Sequence, residues 1–185
     1  YGYHSNRQFA ESIFRQGAIR AAGQVSTYAP MVVEATHRLL SSLAADPAFK
    51  NLDIEMCREK LQRYLATDAG ASYADLGLLD VNGDLICSGR TLGDKINFSA
   101  QQGFQQALAG GDFSIGIYRI TQITSQTLVG FSYPILDSDG NLRAVLFAAM
   151  DPQWFDKLLD VSIMPSGSVI TIIDARGTVL GRSSD

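Results

Sequence analysis

Leu76-Gly-Leu-Leu-Asp80, then Val81-Asn82-Gly83-Asp84, then Leu85-Ile-Cys-Ser88 is the stretch on which the fold turns. Two apolar runs flank an Asn-Gly pair, and both turn residues tolerate positive φ, so the pattern predicts a β-hairpin. Downstream, Ala100 to Leu108 reads as a helix stopped by Gly110–Gly111. Three further strands follow at Phe113–Thr121, Thr127–Leu136 and Leu142–Met150, the last two joined by the turn Asp137-Ser-Asp-Gly140. Pro152 to Leu159 then reads as a short helix leaving the sheet.

Upstream, the first 45 residues read as helix, because Phe9, Ile13, Phe14, Ala18, Ala21, Ala22, Val25 and Tyr28 recur at helical spacing. Pro30 lacks an amide hydrogen and clashes with the preceding turn, so it kinks or restarts this helix. Val32, Val33, Leu39, Leu40 and Leu43 carry the apolar pattern on to a break at Asp46–Pro47. A second helix runs from about Asp53 to Ala66, with Ile54, Cys57, Leu61 and Leu65 on one face.

The end of the chain repeats the opening hairpin. Leu78-Leu79-Asp80-x-x-Gly83 matches Ile172-Ile173-Asp174-x-x-Gly177, each followed by apolar residues and a serine. A second module is therefore expected to begin near Ser166. The predicted class is α+β, in three parts: a long helical region over 1–50, the main domain over 51–160, and the beginning of a second module over 161–185.

Hydrophobic residues make up 46% of the 185, enough for a real core and against disorder. The net charge of −4 is spread without runs of one sign, which argues against a nucleic-acid surface. No apolar stretch approaches the roughly 20 residues that span a bilayer. The first residues are mixed polar and aromatic, unlike a signal peptide, and the chain reads as cut from something larger. Cys57 and Cys87 belong to no CxxC pair and have only His4 and His37 to join them, which argues against a metal site. They read equally as two buried thiols or as a disulfide, the latter requiring an oxidising compartment.

The order of elements resembles the double-Cache (PDC, PAS-like) sensor regions of bacterial histidine kinases, diguanylate cyclases and chemoreceptors. The phrases that carry the resemblance are Leu78-Leu-Asp-Val-Asn-Gly-Asp-Leu-Ile-Cys-Ser88, Gly103-Phe-Gln-Gln-Ala-Leu108, Gly130-Phe-Ser-Tyr-Pro-Ile-Leu-Asp137, Val145-Leu-Phe-Ala-Ala-Met-Asp151 and Met164-Pro-Ser-Gly-Ser-Val-Ile-Thr-Ile-Ile-Asp174. The resemblance implies a PAS-like domain with a five-stranded antiparallel sheet flanked by helices, membrane-distal, and followed by a membrane-proximal module. It implies a periplasmic or extracellular position in a bacterial inner-membrane protein, membrane helices outside this chain, and a homodimer that relays ligand state to a cytoplasmic output domain. It also implies a Cys57–Cys87 disulfide.

The implied pocket lies between the concave face of the sheet and the segment joining strand 2 to strand 3. Alternation groups Val129, Phe131 and Tyr133 on one face of their strand, and Leu128, Gly130 and Ser132 on the other. The resemblance nominates Tyr118, Phe131, Tyr133 and Asp151, with Gln101 and Phe104 approaching from the helix. Amino-acid-binding members of the family carry an Arg and a Trp-Tyr pair in that helix. Here Gln101, Gly103 and Phe104 stand at those positions, which speaks against a standard α-amino acid. The expected ligand is instead an organic acid or another small polar metabolite.

For catalysis the chain offers no Gly-x-Ser-x-Gly elbow, no phosphate loop and no His-Glu-x-x-His, so this segment reads as non-enzymatic, without a cofactor. Asp137-Ser-Asp139-Gly140 lacks the later ligands of a calcium loop and reads as a turn. The competing expectation is a ligand-free interaction module whose pocket is filled by its own Phe104, Phe131 and Tyr133.

Overall fold

The computed structural model describes residues 23, 29–90, 96–110, 112–119, 127–150, 171–173 and 179–182. A helix over 29–45 (α1) is followed by a single turn at Pro47–Lys50 (α2) and a helix at Ile54–Leu65 (α3). The Asp46 and Asp53 carboxylates accept the Ala48 and Met56 amides, so each short helix begins on a side-chain cap. Lys60 bonds Asp46 at 2.5 Å and ties α3 to the start of α2.

Five strands follow: β1 at Tyr73–Leu79, β2 at Leu85–Ser88, β3 at Ser114–Arg119, β4 at Thr127–Leu136 and β5 at Leu142–Met150. A helix at Gln102–Leu108 (α4) separates β2 from β3. All pairings are antiparallel and the order is β2-β1-β5-β4-β3. The predicted α+β class and five-stranded sheet are what the structure has. A separate two-stranded ribbon pairs Thr171–Ile173 (β6) with Val179–Arg182 (β7), as the repeated hairpin pattern anticipates. The predicted helix at Pro152–Leu159 and the stretch before Pro30, on which the kink depends, lie outside the described residues.

The hairpin turns differ from the expectation in one respect. Gly83 takes φ +84°, whereas Asn82 stays at negative φ. The Gly83 amide bonds the Asp80 carbonyl, and the Asp80 carboxylate collects the Asn82 and Asp84 amides. Asp137–Asn141 repeats this arrangement, with Gly140 at φ +83° and the Asp137 carboxylate accepting from Asp139 and Asn141. An aspartate at the first position does the work that a second positive-φ residue was expected to do.

Both faces of the sheet are covered. On one, Leu76, Leu78, Val129, Phe131, Ile135, Ala144, Leu146, Ala148 and Met150 pack under Leu40 and Ala44 of α1, Phe49 of α2 and Cys57 and Leu61 of α3. On the other, Leu79, Leu128, Val145, Phe147 and Ala149 meet Ile96, Phe98 and the α4 residues Phe104 and Ala107. Cys57 of α3 is joined to Cys87 of β2 across 30 residues, with the two Cα atoms 6.5 Å apart. Both are buried, so the bond fastens the edge strand to the helical layer.

Replacing both cysteines by serine is expected to lower the unfolding free energy by about 3–4 kcal/mol, the loop-entropy value for a closure of this length. Urea denaturation measures it; a loss under about 1 kcal/mol contradicts the bond as a main restraint.

Candidate functional site

The face beneath α4 has two unlike halves. Towards the β1–β2 and β4–β5 turns it is filled by aromatic rings. Phe98 and Phe147 lie 4.9 Å apart between centroids, and a Cβ on Gly77 would clash with the Phe147 ring edge, so that ring lies over β1. Phe104 packs in the same cluster at 1% exposure.

Between this cluster and Leu128, the side chains become small or polar. The register sets Asp75 opposite Ala149, Ala149 opposite Gly130, and Gly130 opposite Gly116, so a row of small residues runs across four strands from a single carboxylate. The next row holds Ser88, Gly77, Phe147, Ser132 and Ser114. α4 begins above β3: a Cβ on Gly116 would sit 3.5 Å from the Gly103 amide nitrogen, and the Ser114 hydroxyl donates to the Gly103 carbonyl at 3.4 Å. The Gln105 side chain holds the Ser99 carbonyl and fixes the approach to the helix.

Asp75 is the charged group of this half. Side chains on either side of it, Leu76 and Tyr73, face the helical layer. A register shift between Tyr73 and Asp75 lets Ala74 and Asp75 both face α4. Asp75 is 0% exposed. Its Oδ2 accepts the Ser88 hydroxyl at 2.6 Å and its Oδ1 accepts the Leu76 amide at 2.8 Å. Burial pushes the carboxyl up to about 6, against the opposing pull of Ser88, the Leu76 amide and Arg90. Ser88 in turn accepts the Arg90 amide, and the exposed Arg90 side chain bonds the Ala74 carbonyl.

The nominated residues do not converge on one face. Gln101 is half-buried at the N-cap of α4, and Phe104 points into the cluster beneath it. Tyr118 stands opposite Leu128 in the register. Phe131 and Tyr133 instead pack on the helical-layer side, where Phe131 stacks on Phe113 at 5.8 Å and Tyr133 lies 5.7 Å from His37 of α1. Asp151 lies outside the described residues. Sequence reasoning passed over Asp75 and Ser88. The signal was there: an acid inside the strand that runs from Tyr73, and a serine ending an apolar edge strand. Among the described residues no three His, Cys, Asp or Glu side chains come together as metal ligands.

No family model matches the chain, and no curated protein sequence matches it. Solved structures do. The sensor domain of the Vibrio cholerae histidine kinase DctB is 16% identical, with a TM-score of 0.67, over 100% of this chain and 69% of that one. The sensory domain of the Campylobacter jejuni chemoreceptor Tlp3 is 16% identical, with a TM-score of 0.64, over 96% and 74%. The ligand-binding domain of the Pseudomonas aeruginosa amino-acid chemoreceptor PctC, solved with GABA, is 13% identical, with a TM-score of 0.54, over 96% and 76%. These are sensor and ligand-binding domains, and the chain shares their fold.

The buried acid gives the domain a distinctive pH dependence. Asp75 ionises near 3.8 unfolded and near 6 folded. Between these values the folded state keeps a proton that the unfolded state has lost, so stability falls as pH rises from about 4 to 6. At about 1.4 kcal/mol per unit, the full cost is about 3 kcal/mol at neutral pH. Asp75→Asn keeps an acceptor for Ser88 and removes this dependence. Urea denaturation at about pH 4 and pH 7 is expected to show the variant gaining on the wild type by about that amount; a constant difference contradicts it.

Proposed function

We propose that this chain is the extracytoplasmic ligand-sensing part of a bacterial membrane signalling receptor, a histidine kinase, diguanylate cyclase or chemoreceptor. A small molecule seats between α4 and the sheet. The observation that carries this reading is the division of the α4 face: an aromatic floor at one end, and at the other a row of small residues ending in a buried carboxylate. Ligand sites want this combination of apolar wall and few polar groups. Gln101 and Phe104 belong to this site, joined by Asp75, Ser88, Ser114 and Gly116. Tyr118 belongs by register, while Phe131 and Tyr133 are assigned to the core beneath α1.

The β6–β7 ribbon is the opening of a second, membrane-proximal module, because its sequence repeats the Asp-x-x-Gly hairpin of β1–β2. α1 is the relay to the membrane and to a second copy. Its Thr36 hydroxyl bonds the Tyr73 hydroxyl at 2.8 Å, and the next residue, His37, lies 4.7 Å from the Phe113 ring. Tyr73 precedes Asp75 by two positions and Phe113 adjoins Ser114, so α1 grips both strands whose other side carries site residues. A ligand that binds two arrangements of this frame unequally shifts their populations.

A second reading, an interaction module without a ligand, draws on the close packing of Phe98, Phe104 and Phe147. A thermal-shift screen over organic acids, amino acids, amines, sugars and purines separates the two. Near 100 times its dissociation constant, a ligand stabilises the fold by about 2.7 kcal/mol, several degrees in Tm. The expected hit is weakened by Gly116→Leu, which presses α4 away from β3 at the Gly103 amide, and kept by Tyr133→Leu on the opposite face. A flat screen, or a hit sensitive only to Tyr133, contradicts the site.

A further inference from the structure

We infer that Asp75 sets the specificity of the α4-face site, and that the site takes a ligand with a cationic head, a protonated amine or amidine. This rests on the sensing reading above and names the ligand class that it leaves open. It departs from the organic acid expected from sequence.

Asp75 is wholly buried on the face under α4, and along its register row nothing bulkier than the Ala149 methyl stands before β3. Two donors bond it, the Ser88 hydroxyl and the Leu76 amide, while the Arg90 amide bonds the Ser88 Oγ and adds a weaker pull. A carboxylate has about four lone-pair sites, so these leave room for another donor. Among the described residues no lysine or arginine pairs with it. Arg90 adds a charge pull that ranks below the Ser88 and Leu76 bonds; a buried carboxylate so weakly countered is costly, and a cation placed against it recovers much of that cost. A carboxylate ligand there meets a like charge, and a neutral one recovers nothing.

Among the described residues, the side-chain charge that acts on this acid is that of Arg90. The Arg90 side chain is exposed and bonded to the Ala74 carbonyl. α4 and β2 carry no ionisable side chain over Gln102–Leu108 and Leu85–Ser88. β5 carries only Arg143, exposed near the strand's other end, and β4 only Tyr133, on the opposite face. β3 carries Tyr118 and Arg119, opposite Leu128 and Thr127. Protonation of Asp75 itself therefore governs the pH response of a cation bound to it.

Calorimetric titration and thermal shift of the chain with methylammonium, ethanolamine, putrescine and acetamidinium, set against acetate and succinate, test the inference. At least one cation is expected to bind, about tenfold more weakly near pH 5 than near pH 7.5, because Asp75 loses its proton around 6. Asp75→Asn is expected to weaken it at least tenfold with the circular dichroism spectrum unchanged. Ser88→Ala removes a donor that favours the ionised form, so the pH at half-binding moves upward, a displacement that a merely structural pair does not produce. Should Asp75→Asn not fold, the Ser88→Ala profile decides. Anion binding, or cation binding indifferent to both substitutions, overturns this inference and leaves the sensing reading standing. If nothing in the wide panel binds, both fail together.

Discussion

Along β5 every side chain from Ala144 to Met150 is buried, and this constraint organises the molecule. An antiparallel sheet commonly leaves one face to water and alternates apolar with polar residues. β5 does not alternate. Its even positions need one cover and its odd positions another, and the order β2-β1-β5-β4-β3 puts that strand in the middle, where neither face can be left open. α1, α2 and α3 supply one cover. The segment from Ile96 through α4 supplies the other, and the Asn97 side chain, bonded to the Asn82 carbonyl and the Asp84 carboxylate, fastens its start to the first hairpin turn. A site under α4 is thus interior by construction, walled by a central strand that cannot move without disturbing both cores.

Within that doubly covered sheet a lone acid has consequences that a surface acid lacks. The desolvation that keeps Asp75 partly neutral is the same physics that makes it responsive to whatever charge enters beside it. Its strand begins at Tyr73, whose hydroxyl is bonded to α1, so the acid and the helix share one short lever. Burial raises the Tyr73 hydroxyl as well, with Thr36 opposing, so that phenol stays a neutral hydrogen-bonding partner at physiological pH. The Tyr73–Asp75 backbone pairs with β5, and the Ala74 carbonyl accepts from the Arg90 side chain, so Asp75 and the α1 contact lie on one short restrained segment.

The strands and turns were legible in the sequence because period-two apolar runs and Asp-x-x-Gly turns are local signals. The five described strands of the main sheet start within one residue of the predicted ones or, for β1, three before. What local pattern could not say is which face meets which helix. Alternation grouped Phe131 with Tyr133 and Gly130 with Ser132 correctly, yet both groups are apolar enough to be core, and only the β4–β5 register with α4 above it distinguishes them. Asp75 escaped for a related reason. A charged residue at the start of an apolar strand reads as a strand boundary, and only the bulge at Tyr73–Asp75 with Ser88 across from it shows the carboxylate turned inward.

The most direct test of the account is an amide chemical-shift map of the isotopically labelled chain at saturation with whichever small molecule stabilises it most. The account requires the largest changes at Gly103, Gly116, Gly130, Ser88 and the Asp75–Leu76 amides, with weaker changes at Thr36 and His37 of α1. Changes centred on Phe131, Tyr133 and the α1–α3 layer, with the α4 face silent, would contradict it.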